Sequence, residues 1–126
     1  MSKTAIHTLN APKAIGPYSQ AIRSGDLLFI SGQLPIDPAT GRLVPGGIEE
    51  HVSQVFKNLQ GIMAEAGFSV EDVVKVTVFL KDLKDFDAMN RLYADFFVAP
   101  FPARASFEVA GLAKGALVEI EAIASK

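Results

Sequence analysis

Apolar residues recur at steps of three and four between Ile48 and Ala66. Ile48, Val52, Val55, Phe56, Leu59, Ile62, Met63 and Ala66 fall on one stripe, which predicts a helix that Gly67 closes. A second helix is predicted from about Phe86 to Phe97. Its stripe is Phe86, Met89, Tyr93 and Phe96, with Asn90 at the margin, Asp85 as N-cap, and Pro100 and Pro102 as stops. Val73 to Leu80 is rich in β-branched residues and predicts a strand. Strict alternation would put Val74, Val76, Val78 and Leu80 on one face and Lys75, Thr77 and Phe79 on the other.

Shorter signals surround these elements. Thr4 to Leu9 alternates weakly, as an edge strand would. Ala11 to Gln20 carries Pro12, Gly16 and Pro17 and reads as loop. Ala21–Arg23 and Leu27–Gly32 flank Ser24-Gly25-Asp26, a hairpin signal. Asp37 to Gly41 reads as a turn, and Ser69 to Asp72 as a short capping sequence. Arg104–Ala110 and Leu117–Ala124 predict two last strands around a turn at 111–115. The order is strands, helix, strand, helix, two strands. It predicts one α+β domain over residues 1–126, with a mixed sheet and both helices on one face. Several strands are apolar on both sides, so the other face is expected to be covered by self-association.

Composition narrows the function. The 126 residues carry a net charge of −2, which argues against affinity built on nucleic-acid phosphates and leaves little attraction to an anionic membrane. Cysteine is absent, which excludes disulfides and thiolate chemistry. The opening residues lack the apolar core of a signal peptide, and no apolar run approaches the length of a membrane span. A cytoplasmic location is the expectation. His7 and His51 lack ligand spacing and read as surface or boundary histidines. No phosphate-binding loop or nucleophile elbow is present.

An arginine, a glutamate and a few small polar groups remain. Arg104 opens a strand, with Ser106 and Glu108 projecting to its side. A guanidinium offers paired donors to a carboxylate, although an exposed ion pair is the blander reading. Glu119 shares a strand face with Leu117, Glu121 and Ile123. It is either solvated or a group that orients and deprotonates a water. Ser31-Gly32 ends an apolar strand, where small residues permit close approach to the backbone or simply turn the chain. Tyr18 follows Gly16-Pro17 as either a loop anchor or a pocket wall.

Together the segments resemble the RidA family, also called the YjgF or reactive-intermediate deaminase family. The resemblance runs through Ala14-Ile-Gly-Pro-Tyr-Ser-Gln-Ala21, Phe29-Ile-Ser-Gly-Gln-Leu-Pro-Ile-Asp-Pro38, Val76-Thr-Val-Phe-Leu80 and Met89-Asn-Arg-Leu-Tyr-Ala-Asp-Phe-Phe97. It closes with Pro102-Ala-Arg104 and Val118-Glu-Ile-Glu-Ala-Ile123. It implies a chorismate-mutase-like fold in a homotrimer, with the sheets closing into a barrel and sites between subunits. The activity it implies is hydrolysis of 2-aminoacrylate, 2-iminopropanoate and 2-iminobutanoate to 2-keto acids and ammonia, without metal or organic cofactor.

By the same resemblance, Arg104 holds the substrate carboxylate and Glu119 positions the attacking water. Tyr18, Ser31, Gly32 and Asn90 line the pocket, and Ser106 adds a polar contact. Ala105, Phe107 and Ala113 depart from the family pattern and bear on specificity and on the rigidity of the 111–115 turn. Three other readings compete. One is a sensor that binds a small carboxylate without turnover. Another is an RNA-directed activity, which the net charge disfavours. The last is a trimeric scaffold with an accidental pocket.

Overall fold

The computed structural model describes residues 2–126. Eight strands and two helices form in chain order. These are β1 (Thr4–Ile6), β2 (Ala21–Ser24), β3 (Leu27–Gln33), β4 (Ile36–Asp37), β5 (Arg42–Leu43), α1 (Ile48–Ala66), β6 (Val73–Leu80), α2 (Phe86–Phe96), β7 (Ala103–Glu108) and β8 (Val118–Ser125). Six strands make one sheet in the order β1-β2-β3-β8-β6-β7. All its pairings are antiparallel except β6 with β7, whose parallel run needs the α2 crossover between them. β4 and β5 form a separate small hairpin around the Asp37–Gly41 turn.

Both helices cover one face of the sheet. The core there is built from Val52, Val55, Leu59 and Ile62 of α1, Met89 and Tyr93 of α2, and the inward strand residues Leu28, Val76, Val78, Leu80, Val118 and Ile120. The other face is open in the single chain. It presents Phe29, Phe79, Phe107 and Ile123 beside Lys75, Thr77, Glu119 and Glu121. Phe79 and Phe107 meet edge to face there, with ring centroids 5.4 Å apart.

Three sequence expectations are corrected. Val74 is 47% exposed, and its neighbour Val73 is buried in its place. The β6–β8 register shifts between Val73 and Lys75, so one extra residue bulges there and alternation starts anew. His51 is 4% exposed and is no surface histidine. Its Nδ1 accepts from Leu117 N at 3.2 Å, and Nε2 stands 3.1 Å from Val44 O, so the imidazole ties α1 to two loops. Asp85 precedes α2 without a side-chain capping bond. Asp82 acts one turn earlier, accepting from Lys84 N at 2.9 Å and starting the 3₁₀ turn Leu83–Asp85 that leads into the helix.

The loops that frame the open end are held by buried amides. Gln20 accepts from Thr8 N at 2.8 Å and donates to Thr8 O, Ala11 O and Pro12 O. Asn58, fully buried on α1, donates to Leu34 O at 3.1 Å and Ile36 O at 3.0 Å. These bonds satisfy backbone groups that no strand partner reaches. They fix the segment before β2, where Tyr18 lies, and the segment that follows Ser31 and Gly32 at the end of β3.

Candidate functional site

Arg104 stands on β7 opposite Val76, so it points to the helix-covered side of an edge strand. Its guanidinium lies over the Tyr93 ring at 4.6 Å and the Phe86 ring at 5.5 Å, and its Nη1 donates to Asn90 Oδ1 at 2.7 Å. Phe86, Asn90 and Tyr93 follow each other at steps of four and three, which places them on one stripe of α2. The Arg104 side chain makes no other hydrogen bond among the described residues, so its Nε and Nη2 donors remain free. Ser106, two residues along the same strand face, has its Oγ buried without a hydrogen-bond partner. The Tyr93 hydroxyl is in the same condition. Burial raises the Tyr93 phenol pKa, and the Arg104 charge pulls it partly back.

Glu119 belongs to the other face. It pairs with Phe79 on the open side of the sheet, between the buried Val118 and Ile120. The β3–β8 register slips between Ile30 and Gln33, which makes Ser31-Gly32 a bulge. The Glu119 carboxylate lies across that bulge, where a Cβ at Gly32 would collide with its Oε2. A side chain at position 32 would push the Glu119 carboxylate out of this position. Partial burial raises the Glu119 pKa first, and Glu121 on the same strand face raises it further. Ser31 Oγ donates to Ser19 O at 2.6 Å, while Ser31 N donates to Gln20 O at 3.0 Å. The loop bearing Tyr18 is thereby fastened to the bulge, and the Tyr18 ring is itself 52% exposed.

The chain thus brings the expected residues together in two groups. Arg104, Asn90 and Ser106 form one, and Glu119, Gly32, Ser31 and the Tyr18 loop form the other. From Arg104 through Val76 to Ala122 spans two strand spacings, and Glu119 lies three residues further along β8. That separates their Cα atoms by about 14 Å, with the side chains on opposite faces. One hollow on the open face, about 170 Å³, is lined by Phe29, Lys75, Thr77, Glu121 and Ile123 and reaches neither Arg104 nor Glu119. Among the described residues no group of three His, Asp or Glu side chains is arranged to hold a metal, and no helix is long and apolar enough to cross a membrane.

Sequence reasoning passed over Tyr93 as a site residue, because its apolar spacing marked it as core. It also passed over Gln20 and Asn58, whose only sequence signal is a lone amide among apolar neighbours.

The chain is a two-helix α+β domain with an arginine on an edge strand and a glutamate across a bulge, and comparison with known proteins places it in a family. Residues 8–126 match the family model described as Endoribonuclease L-PSP, and the chain belongs to that family, also known as RidA or YjgF. The chain is 55% identical to a RutC family protein of Pyrococcus horikoshii, over 98% of each chain. It is 52% identical to the 2-iminobutanoate/2-iminopropanoate deaminase of Capra hircus, over 94% of this chain and 87% of that one. The crystal structure of RidA from an Antarctic Psychrobacter matches with a TM-score of 0.94 at 45% identity, covering 98% and 99% of the two chains.

Proposed function

We propose that the protein hydrolyses small imines bearing a carboxylate, of the 2-iminopropanoate and 2-iminobutanoate type, to 2-keto acids and ammonia. The observation that carries this reading is the half-buried Glu119 carboxylate held across the Gly32 bulge with a raised pKa. A binding module needs the arginine but has no use for a carboxylate poised to accept a proton. Relatives at about half identity named as such deaminases support the same reading.

The free donors of Arg104 take the substrate carboxylate. Glu119 removes a proton from water as its oxygen adds to the imine carbon, giving a carbinolamine. Glu119 returns that proton to nitrogen, the C–N bond breaks with its electron pair leaving on ammonia, and the hydroxyl proton passes back to the Glu119 carboxylate as the carbonyl forms. For 2-aminoacrylate, protonation at C3 first gives the imine. No covalent nucleophile is required, since the C=N carbon is already electrophilic.

Because Arg104 and Glu119 lie on opposite faces about 14 Å apart, one chain does not assemble both around a small molecule. The reading therefore includes a homotrimer, with open sheet faces packed together and each site made by neighbouring subunits. The apolar residues of the open face support it. The family description's word endoribonuclease favours a second reading, RNA cleavage. The net charge of −2 gives it no electrostatic footing.

A serine or threonine dehydratase coupled to this protein, with semicarbazide trapping the free imine, tests the proposal. Wild type should divert flux from semicarbazone to keto acid. Arg104→Ala should lose this mainly through a raised KM, and Glu119→Gln should retain ligand binding while kcat falls about 10²–10⁴-fold. If wild type leaves the partition unchanged, the deaminase reading fails.

A further inference from the structure

We infer that Tyr93 is a positioning residue for the Arg104 clamp, acting through its ring and not through its hydroxyl. The inference rests on the carboxylate-binding role proposed for Arg104.

An arginine on an edge strand, exposed and without a carboxylate partner, has many rotamers open to it. Here its guanidinium is restrained from one side by a single helix face. Asn90 takes an Nη1 proton, while Tyr93 and Phe86 supply aromatic faces at 4.6 and 5.5 Å. The nearer ring is the better fixed of the two. Tyr93 is 4% exposed, tilted against Phe97 at 4.5 Å and edge-on to Phe56 at 6.4 Å. A ring packed into the core cannot follow the arginine, so the arginine settles on the ring. Phe86 is only partly buried and Asn90 is exposed, so both are looser supports.

With Nη1 engaged by Asn90, the Nε and Nη2 donors remain for a ligand. A carboxylate that uses both needs the guanidinium plane held in one orientation. The Tyr93 hydroxyl takes no part, as it is buried and donates to no atom of the chain. An unpartnered buried hydroxyl contributes nothing to the platform, so Tyr93→Phe should keep the function intact.

A purely structural role for Tyr93 makes a different prediction: substitutions would alter stability and leave the affinity of folded protein for carboxylates unchanged. The test therefore titrates 2-oxobutanoate, a non-reacting keto acid, into wild type, Tyr93→Phe, Tyr93→Leu and Tyr93→Met by calorimetry. Folded protein is verified by circular dichroism and Tm, and KM and kcat for 2-iminobutanoate are read in parallel. Tyr93→Phe should bind within about twofold of wild type. Tyr93→Leu should bind about tenfold more weakly, the scale of a partly desolvated cation–π contact. Its KM should rise in step while kcat changes little, as expected for lost uniform binding.

Wild-type affinity in folded Tyr93→Leu overturns the inference, and so does a loss in Tyr93→Phe as large as in Tyr93→Leu. Should Tyr93→Leu fail to fold, Tyr93→Met, an apolar replacement of similar reach without an aromatic face, decides. A severalfold loss of keto-acid affinity supports an aromatic platform under Arg104, and no loss overturns it. Wild type that binds the keto acid but never turns over the imine defeats the deaminase reading alone, and the positioning role stands on the affinities.

Discussion

Glu119 holds its proton more tightly than a solvated glutamate, because much of its side chain is out of water and Glu121 stands two residues along the same strand face. The sign of the linkage follows. In the unfolded chain the carboxyl ionises at its ordinary pKa, whereas the folded chain keeps the proton to higher pH. Folding is disfavoured progressively as pH rises through that window, and the deficit persists above the folded pKa. Glu119→Gln, which removes the ionisation, should raise Tm at pH 7 and leave it nearly unchanged at pH 4, measured by calorimetric scans at the two pH values. The same shift places the acid limb of the pH–kcat profile above the usual carboxylate range. A profile that declines only below pH 4.5 would remove Glu119 as the base.

At the scale of elements, the long helix shows how much its neighbours add to its own pattern. α1 has no basic residue in its last turn. Arg23 Nη1 donates to Ala66 O at 3.3 Å, and Lys126 Nζ donates to Gly67 O at 2.8 Å, so cations from β2 and the C-terminus meet the negative end of the helix dipole. Gly61, inside the same helix, is there for contact with another segment. A Cβ built on it would lie 2.6 Å from Asn10 O and 3.0 Å from Asn10 Cβ. Gly61→Ala gains about 1 kcal/mol of helix propensity. It also forces the Asn10 backbone outward, an overpacking that costs typically 1–3 kcal/mol. We expect a net loss of about 1 kcal/mol by urea unfolding. An alanine variant as stable as wild type would mean that the Asn10 loop yields freely.

At the scale of the whole molecule, the proposed trimer would bring the two groups of site residues together through the open sheet face. Phe29 sits at the middle of that face and is 42% exposed in the single chain. Sedimentation velocity on wild type should give a species of three times the 13.5 kDa chain mass. Phe29→Asp should run as a folded monomer, with its far-UV spectrum intact. It should lose deaminase activity although Arg104 and Glu119 are both present. An active monomer would contradict a site shared between subunits.

The sequence by itself determined what depends on local period and chemistry. The stripes of α1 and α2, the Val73–Leu80 strand, and the glycine that ends α1 at φ 81° follow from side chains repeating at helical or strand spacing. The family was legible for the same reason, since its motifs are contiguous. What the tertiary structure decided are matters of register and of distant partners. The bulge after Val73 exposed Val74, because one inserted residue breaks the alternation between Val73 and Lys75 and no local preference records it. His51 became a buried tie because Val44 and Leu117, distant along the chain, bring its two hydrogen-bond partners. Arg104 and Glu119 read as one pair in the sequence. The sheet sets them on opposite faces, because the side to which a residue points is fixed by the pairing of its strand and not by its neighbours in the chain.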